Sequence, residues 1–88
     1  MKIIKFEKQN CGPCTMVSNY LNEEGVEYTA LNPFDGGEAA DLAGKYQIGF
    51  QVPVTILVDA EGNEVARSRG YNPEELDELI LGLNPINA

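Results

Sequence analysis

The 88-residue chain has no histidine, no tryptophan, two cysteines, and only 6 basic residues against 14 acidic ones. The formal net charge of −8 argues against a nucleic-acid backbone or an anionic membrane as partner, because both require a basic footprint. With no histidine and two cysteines, the chain cannot assemble the four ligands of a zinc site without carboxylates or a second copy. Met1 leads straight into Lys2-Ile3-Ile4-Lys5-Phe6, which is too short and too charged for a signal peptide or a membrane span. The expectation is a cytoplasmic protein. There is no repeat, no low-complexity tract and no Gly-rich nucleotide motif, so no bound cofactor is expected. The length predicts a single domain, residues 1–88, burying roughly 60–65 % of its unfolded surface.

What the chain does have is Asn10-Cys11-Gly12-Pro13-Cys14. Both cysteines fall here, at the junction between an apolar run and a helical pattern. Two residues apart, they can close a disulfide within one turn. In a cytosolic protein such a pair is catalytic or metal-binding more often than structural. Cys11 lies at the helix N-terminus, where free N–H groups and the macrodipole favour a thiolate. Motifs of this kind bring a cysteine roughly into the range 3.5–7.5, against about 8.5 when free. Cys11 is therefore expected to attack, and Cys14, less exposed, to resolve the mixed disulfide. Gly12 and Pro13 tune the pair, and Lys8 is a candidate second positive influence on it. Glu7 and Asp59 are candidate proton acceptors for Cys14, although a solvated surface role suits each of them better.

The rest of the chain alternates strand and helix signals. Residues 2–6 read as a strand. A helix follows over 13–24, with Met16, Val17, Tyr20 and Leu21 on one face and Gly25 as its stop. Residues 26–31 alternate as a second strand, and Asn32-Pro33 breaks it. Ala39, Leu42, Ala43 and Tyr46 mark a second helix over 38–46. Pro53 opens the apolar strand 54–58, and a turn at 59–63 leads into a return strand over 64–68, making a hairpin. Asn72-Pro73-Glu74-Glu75 starts a third helix with an N-cap, a first-position proline and an acid three residues on. Leu76, Leu79, Ile80 and Leu83 form its buried face, and residues 84–88 are expected to fray. The order βαβαββα predicts an α/β fold. Its four-stranded mixed sheet runs 2-1-3-4, with the first two strands parallel and helices on both faces.

With this order and these motifs the chain resembles the thioredoxin-fold superfamily, from Ile3 to about Leu83. Cys11-Gly12-Pro13-Cys14 is identical to the thioredoxin active-site tetrapeptide. Val52-Pro53 stands where the family places a cis-proline facing the cysteines, and Gly70 where it places a glycine beside the site. The frame is smaller than a thioredoxin: an N-terminal strand and helix are missing, Asn10 replaces a tryptophan, and Lys5 stands where thioredoxins carry a buried aspartate. The length, and Lys8 three residues before the nucleophile, look more like glutaredoxins. Gly70-Tyr71-Asn72-Pro73 is similar to a segment of the glutaredoxin-like redoxins that serve ribonucleotide reductase.

The resemblance implies a thiol–disulfide oxidoreductase that reduces protein disulfides at a fairly reducing potential. Its implied substrates are proteins such as ribonucleotide reductase, peroxiredoxin or methionine sulfoxide reductase, and its implied electron source is thioredoxin reductase. A cis Val52-Pro53 bond would present the Val52 backbone to an extended substrate segment, with Gly70 and Tyr71 beside it. Tyr46 is a further candidate for the border of the site, although packing accounts for it better. The chain is expected to be a monomer. Two other readings remain open: a glutathione-dependent glutaredoxin, and a non-catalytic binding module.

Overall fold

In the computed structural model, which describes residues 1–83, the first strand is the axis of the sheet. β1 (Lys2–Phe6) alternates its side chains between two buried faces. It pairs in parallel with β2 (Thr29–Leu31), with Phe6 opposite Leu31. On its other side it pairs antiparallel with β3 (Val54–Val58), with Phe6 opposite Val54. β3 in turn pairs antiparallel with β4 (Glu64–Arg69), and Val54 faces Arg69. The strand order is therefore β2-β1-β3-β4, as the sequence pattern predicts. The expected tail at 84–88 lies outside the described residues.

Because side chains alternate along a strand, the sheet builds two cores. One face carries Ile4, Phe6, Val54, Ile56 and Val58, covered by Ala43, Tyr46 and Ile48 from α2 (Gly37–Lys45) and the residues after it. The other carries Ile3 and Leu57. Val17 and Leu21 of α1 (Gly12–Glu23) cover these together with Leu76 and Leu79 of α3 (Pro73–Leu83). Each fully buried Leu, Ile, Val or Phe contributes roughly 1.5–3 kcal/mol against exposure. Met16, expected on the buried stripe of α1, is exposed; the stripe runs through Cys14, Val17 and Leu21 instead.

The second strand is shorter than its alternation suggests, because the end of α1 takes its first residues. Gly25 adopts φ +69°, Gly25 N–H donates to Asn22 C=O, and Val26 N–H donates to Leu21 C=O. That pattern caps a helix through a left-handed glycine and adds an apolar contact. Val26 is thus buried beside Leu21 as part of the cap, and pairing starts only at Thr29. The break at Asn32-Pro33 becomes a 3₁₀ turn, Pro33–Asp35, capped by Asn32 Oδ1 accepting from Phe34 N–H at 2.9 Å.

At α3, Asn72 Oδ1 caps Glu75 N–H at 3.2 Å. The reciprocal half of the expected capping box goes elsewhere: Glu75 accepts from Arg69 N–H at 3.2 Å, which ties the helix start to the end of β4.

Candidate functional site

The register brings one end of the sheet together. Phe6, Leu31, Val54 and Arg69 lie side by side, so the loops after β1 and β2, before β3 and after β4 all emerge there. Asn10, at φ +55°, turns the chain out of the first loop; asparagine tolerates this left-handed region better than most residues. Cys11 follows as the N-cap of α1.

Cys11 Sγ accepts a hydrogen bond from Cys14 N–H at 3.2 Å, taking the place of the usual Ser or Asp oxygen at this position. Pro13 sits in the first turn, where its missing N–H leaves nothing unpaired. No acidic residue occupies that turn, so the positive end of the helix is not neutralised locally. The arrangement favours negative charge on Cys11. Cys11 and Cys14 are joined in a disulfide, with Cα atoms 5.2 Å apart. Cys11 is the more accessible of the two, 9 % exposed against 3 %.

Two cavities border this end. The first, about 530 Å³, is lined by Cys11, Gly12 and Cys14 together with Lys5, Glu7 and Lys8. The second, about 260 Å³, is lined by Val52, Pro53 and Gly70. The Val52–Pro53 bond is cis. Gly70 has φ +67° and donates its N–H to Pro53 C=O at 2.8 Å, so the segment after β4 is fastened to the proline that opens β3.

Tyr71 lines neither cavity and packs edge-on against Tyr20, ring centroids 6.3 Å apart. The Tyr20 hydroxyl donates to Asp77, and that bond pushes the Tyr20 phenol up to about 12. Tyr46 is a core residue whose hydroxyl donates to Gly62 C=O at 2.5 Å, in the turn at the far end of the hairpin. Asp59 belongs to that same distant turn. Its carboxylate accepts from the backbone N–H groups of Asn63 (2.9 Å) and Glu61 (3.0 Å), and the Asn63 bond foremost holds it below the usual range. Asp59 is too remote to take a proton from Cys14.

The sequence reading missed two features. Lys5 is fully buried beneath the cysteine helix. Phe34 and Phe50, 50 % and 85 % exposed, lie 6.3 Å apart on loops that emerge at the cysteine end. Both aromatics sit in polar, glycine-containing stretches, and that contrast was their only signal.

A mixed sheet with an N-capping Cys-x-x-Cys disulfide and a cis-proline at the same end defines a redox protein of thioredoxin architecture. The comparisons agree. The chain is 42 % identical to the SPbeta prophage-derived thioredoxin-like protein YosR of Bacillus subtilis, over 94 % of this chain and 99 % of that protein. It is 31 % identical to the H-type thioredoxin of Fagopyrum esculentum, over 98 % of this chain and 74 % of that one. Among solved structures, the glutaredoxin-like protein NrdH-redoxin from Escherichia coli superposes with a TM-score of 0.69 at 24 % identity, covering 90 % of this chain and 95 % of that one. No protein-family model matches the chain. The chain belongs to the thioredoxin-like family, and Cys11–Cys14 is its redox-active disulfide. Among the described residues no helix is long and apolar enough to cross a membrane.

Proposed function

We propose that the protein is a cytoplasmic protein-disulfide reductase that works without a bound cofactor. The observation that carries this reading is the Cys11 sulfur held as the helix cap, with Cys14 N–H aimed at it. In the reduced form the Cys11 thiolate attacks a substrate disulfide. A Cys11–substrate S–S bond forms, the substrate bond breaks, and its electron pair leaves on the second substrate sulfur, which takes a proton from water. The Cys14 thiolate then attacks Cys11 Sγ and expels the first substrate sulfur. The substrate has gained two electrons and two protons, and the closed Cys11–Cys14 bond is the oxidised end of the cycle. Thioredoxin reductase returns the two electrons.

Val52 and Pro53 offer a backbone edge to an extended substrate segment, with Gly70 leaving room beside it and Phe34 and Phe50 adding apolar contact. The 42 % identity to a thioredoxin-like protein supports the choice of a thioredoxin-type electron source. Ribonucleotide reductase, peroxiredoxin and methionine sulfoxide reductase are the substrates to try.

The test is insulin-disulfide turnover in two arms, with Cys11→Ser as control. One arm carries NADPH and a bacterial thioredoxin reductase; the other carries glutathione and glutathione reductase. Turnover in the first arm alone establishes the reading. Turnover in the second alone replaces it with a glutaredoxin, and inactivity in both leaves a binding module.

A further inference from the structure

Lysine is almost never fully buried unless its charge is paired. Lys5 is 1 % exposed. Its ammonium donates to the Glu7 carboxylate and to Ser18 Oγ, the latter at 2.5 Å, and lies 5.9 Å from the centre of the Tyr28 ring. Three features place this group in the redox site rather than in the core at large.

Lys5, Glu7 and Ser18 line the same cavity as Cys11 and Cys14. The charged groups lining it are Lys5, Glu7 and Lys8, two cations to one anion in a chain whose net charge is −8. Beyond the cavity lining the polarity continues within the sheet, because Lys5 stands opposite Thr55 and Thr55 opposite Ser68 across adjacent strands. The hydroxyls of Thr55 and Ser68 are buried and make no hydrogen bond among the described residues. A polar band thus crosses three strands on the face that α1 and α3 cover together. An apolar floor would hold a buried cysteine in its neutral form, whereas a nearby ammonium favours the thiolate.

We infer that Lys5 is a positioning residue for the resolving step: its ammonium stabilises the Cys14 thiolate once the disulfide opens, and Glu7 moderates the effect by neutralising part of that charge. This rests on the reductase reading for its place in the cycle. In the mixed disulfide, Cys14 gives its proton to water at the open cleft and its thiolate attacks Cys11 Sγ. The Cys11–Cys14 bond forms as the Cys11–substrate bond breaks, and the electron pair leaves on the substrate sulfur.

The experiment isolates Cys14. In a Cys11→Ser background it is the single thiol, and serine preserves the helix cap. The rate of Cys14 alkylation by iodoacetamide is followed by mass spectrometry from pH 5 to pH 10, alone and with Lys5→Met or Glu7→Gln. Lys5→Met is expected to raise the midpoint of the pH–rate curve by about one unit or more, roughly tenfold less thiolate at a given pH below it. Glu7→Gln is expected to lower the midpoint. A merely structural role for the pair would lower the melting temperature in both variants without moving the midpoints in opposite directions. An unmoved midpoint in Lys5→Met, or shifts of the same sign, overturns the proposal. If Lys5→Met does not fold by circular dichroism, Glu7→Gln decides alone, and an unmoved or raised midpoint overturns it. Because this readout needs no partner and no turnover, opposite shifts in a protein inactive on insulin would uphold the role of Lys5 while sinking the reductase reading.

Discussion

Gly70→Ala tests whether the second half of the site is held as described. Gly70 sits at φ +67° with no atom within 4 Å of an added Cβ, so the substitution introduces backbone strain without a clash. Placing an L-residue with a Cβ in the left-handed region costs roughly 1–2 kcal/mol. The N–H that reaches Pro53 C=O is retained, so no hydrogen bond need be lost. In a domain of this size about 1 kcal/mol moves Tm by roughly 4–8 °C, and the expected fall is on the order of 10 °C. Gly44→Ala supplies the opposite sign. Gly44 lies inside α2 with nothing within 4 Å of its added Cβ and no positive φ, so alanine should stabilise by about 0.5–1 kcal/mol. Thermal unfolding of the oxidised protein followed at 222 nm reads both. A fall of less than about 2 °C in Gly70→Ala, beside a rise in Gly44→Ala, would refute the claim that a left-handed residue fastens β4 to the cis-proline.

Cys14→Ser should trap substrate on Cys11 as a mixed disulfide, visible as an adduct by mass spectrometry and removed by dithiothreitol, whereas Cys11→Ser should give no such adduct. Tyr20 should titrate about two units above an ordinary tyrosine when absorbance at 295 nm is followed, since its phenol is raised from 10.0 to about 12. The sign follows from the folded state holding this proton more tightly: the contribution to stability is complete below pH 10 and lost as pH rises toward 12. Asp77→Asn should return the titration toward the ordinary value. Asp59 has the reverse sign, because its carboxylate is lowered from 3.8. Its contribution is complete above that value and lost as pH falls through the lowered one, and Asp59→Ala should flatten the acid limb of the stability profile. If Phe50 adds apolar contact to a bound segment as proposed, Phe50→Ser should raise KM for insulin several-fold and leave kcat largely unchanged, because the ring is exposed rather than part of the core.

The sheet order and the three helices were legible because their signals are local and redundant: a proline and an asparagine at the start of α3, a glycine after α1, five consecutive β-forming residues in β3. The cysteine pair was legible for the same reason. The true extent of β2 was not, because Val26 satisfies the strand alternation and a helix cap equally well, and only the tertiary contact with Leu21 decides between them. The burial of Lys5 left two traces: Ile3 and Lys5 share one side of β1 by period, and the resemblance sets Lys5 at the place of a buried aspartate. A lysine on that side reads as solvent-facing until its partners are known. Glu7 is two residues away, but Ser18 is 13 residues on, and no periodicity links a strand residue to a hydroxyl on the following helix. The roles of Val52 and Gly70 came from resemblance, because a proline opening a strand and a glycine closing a hairpin are ordinary in themselves.

The sheet's borders have a consequence for life at high concentration. An open sheet ends in two strands whose outer backbone groups invite a neighbouring chain to continue the ladder. Here one border, β2, is three residues long and closed off at once by Asn32-Pro33. The other, β4, carries Glu64, Arg67 and Arg69, the first two joined by Arg67 Nη2 and Glu64 Oε1 at 2.7 Å, and its register shifts between Leu57 and Val58. A foreign strand therefore finds a template too brief on one side and both charged and irregular on the other. Such borders resist indiscriminate growth of the sheet through its sides and leave its two ends as the faces free of that constraint.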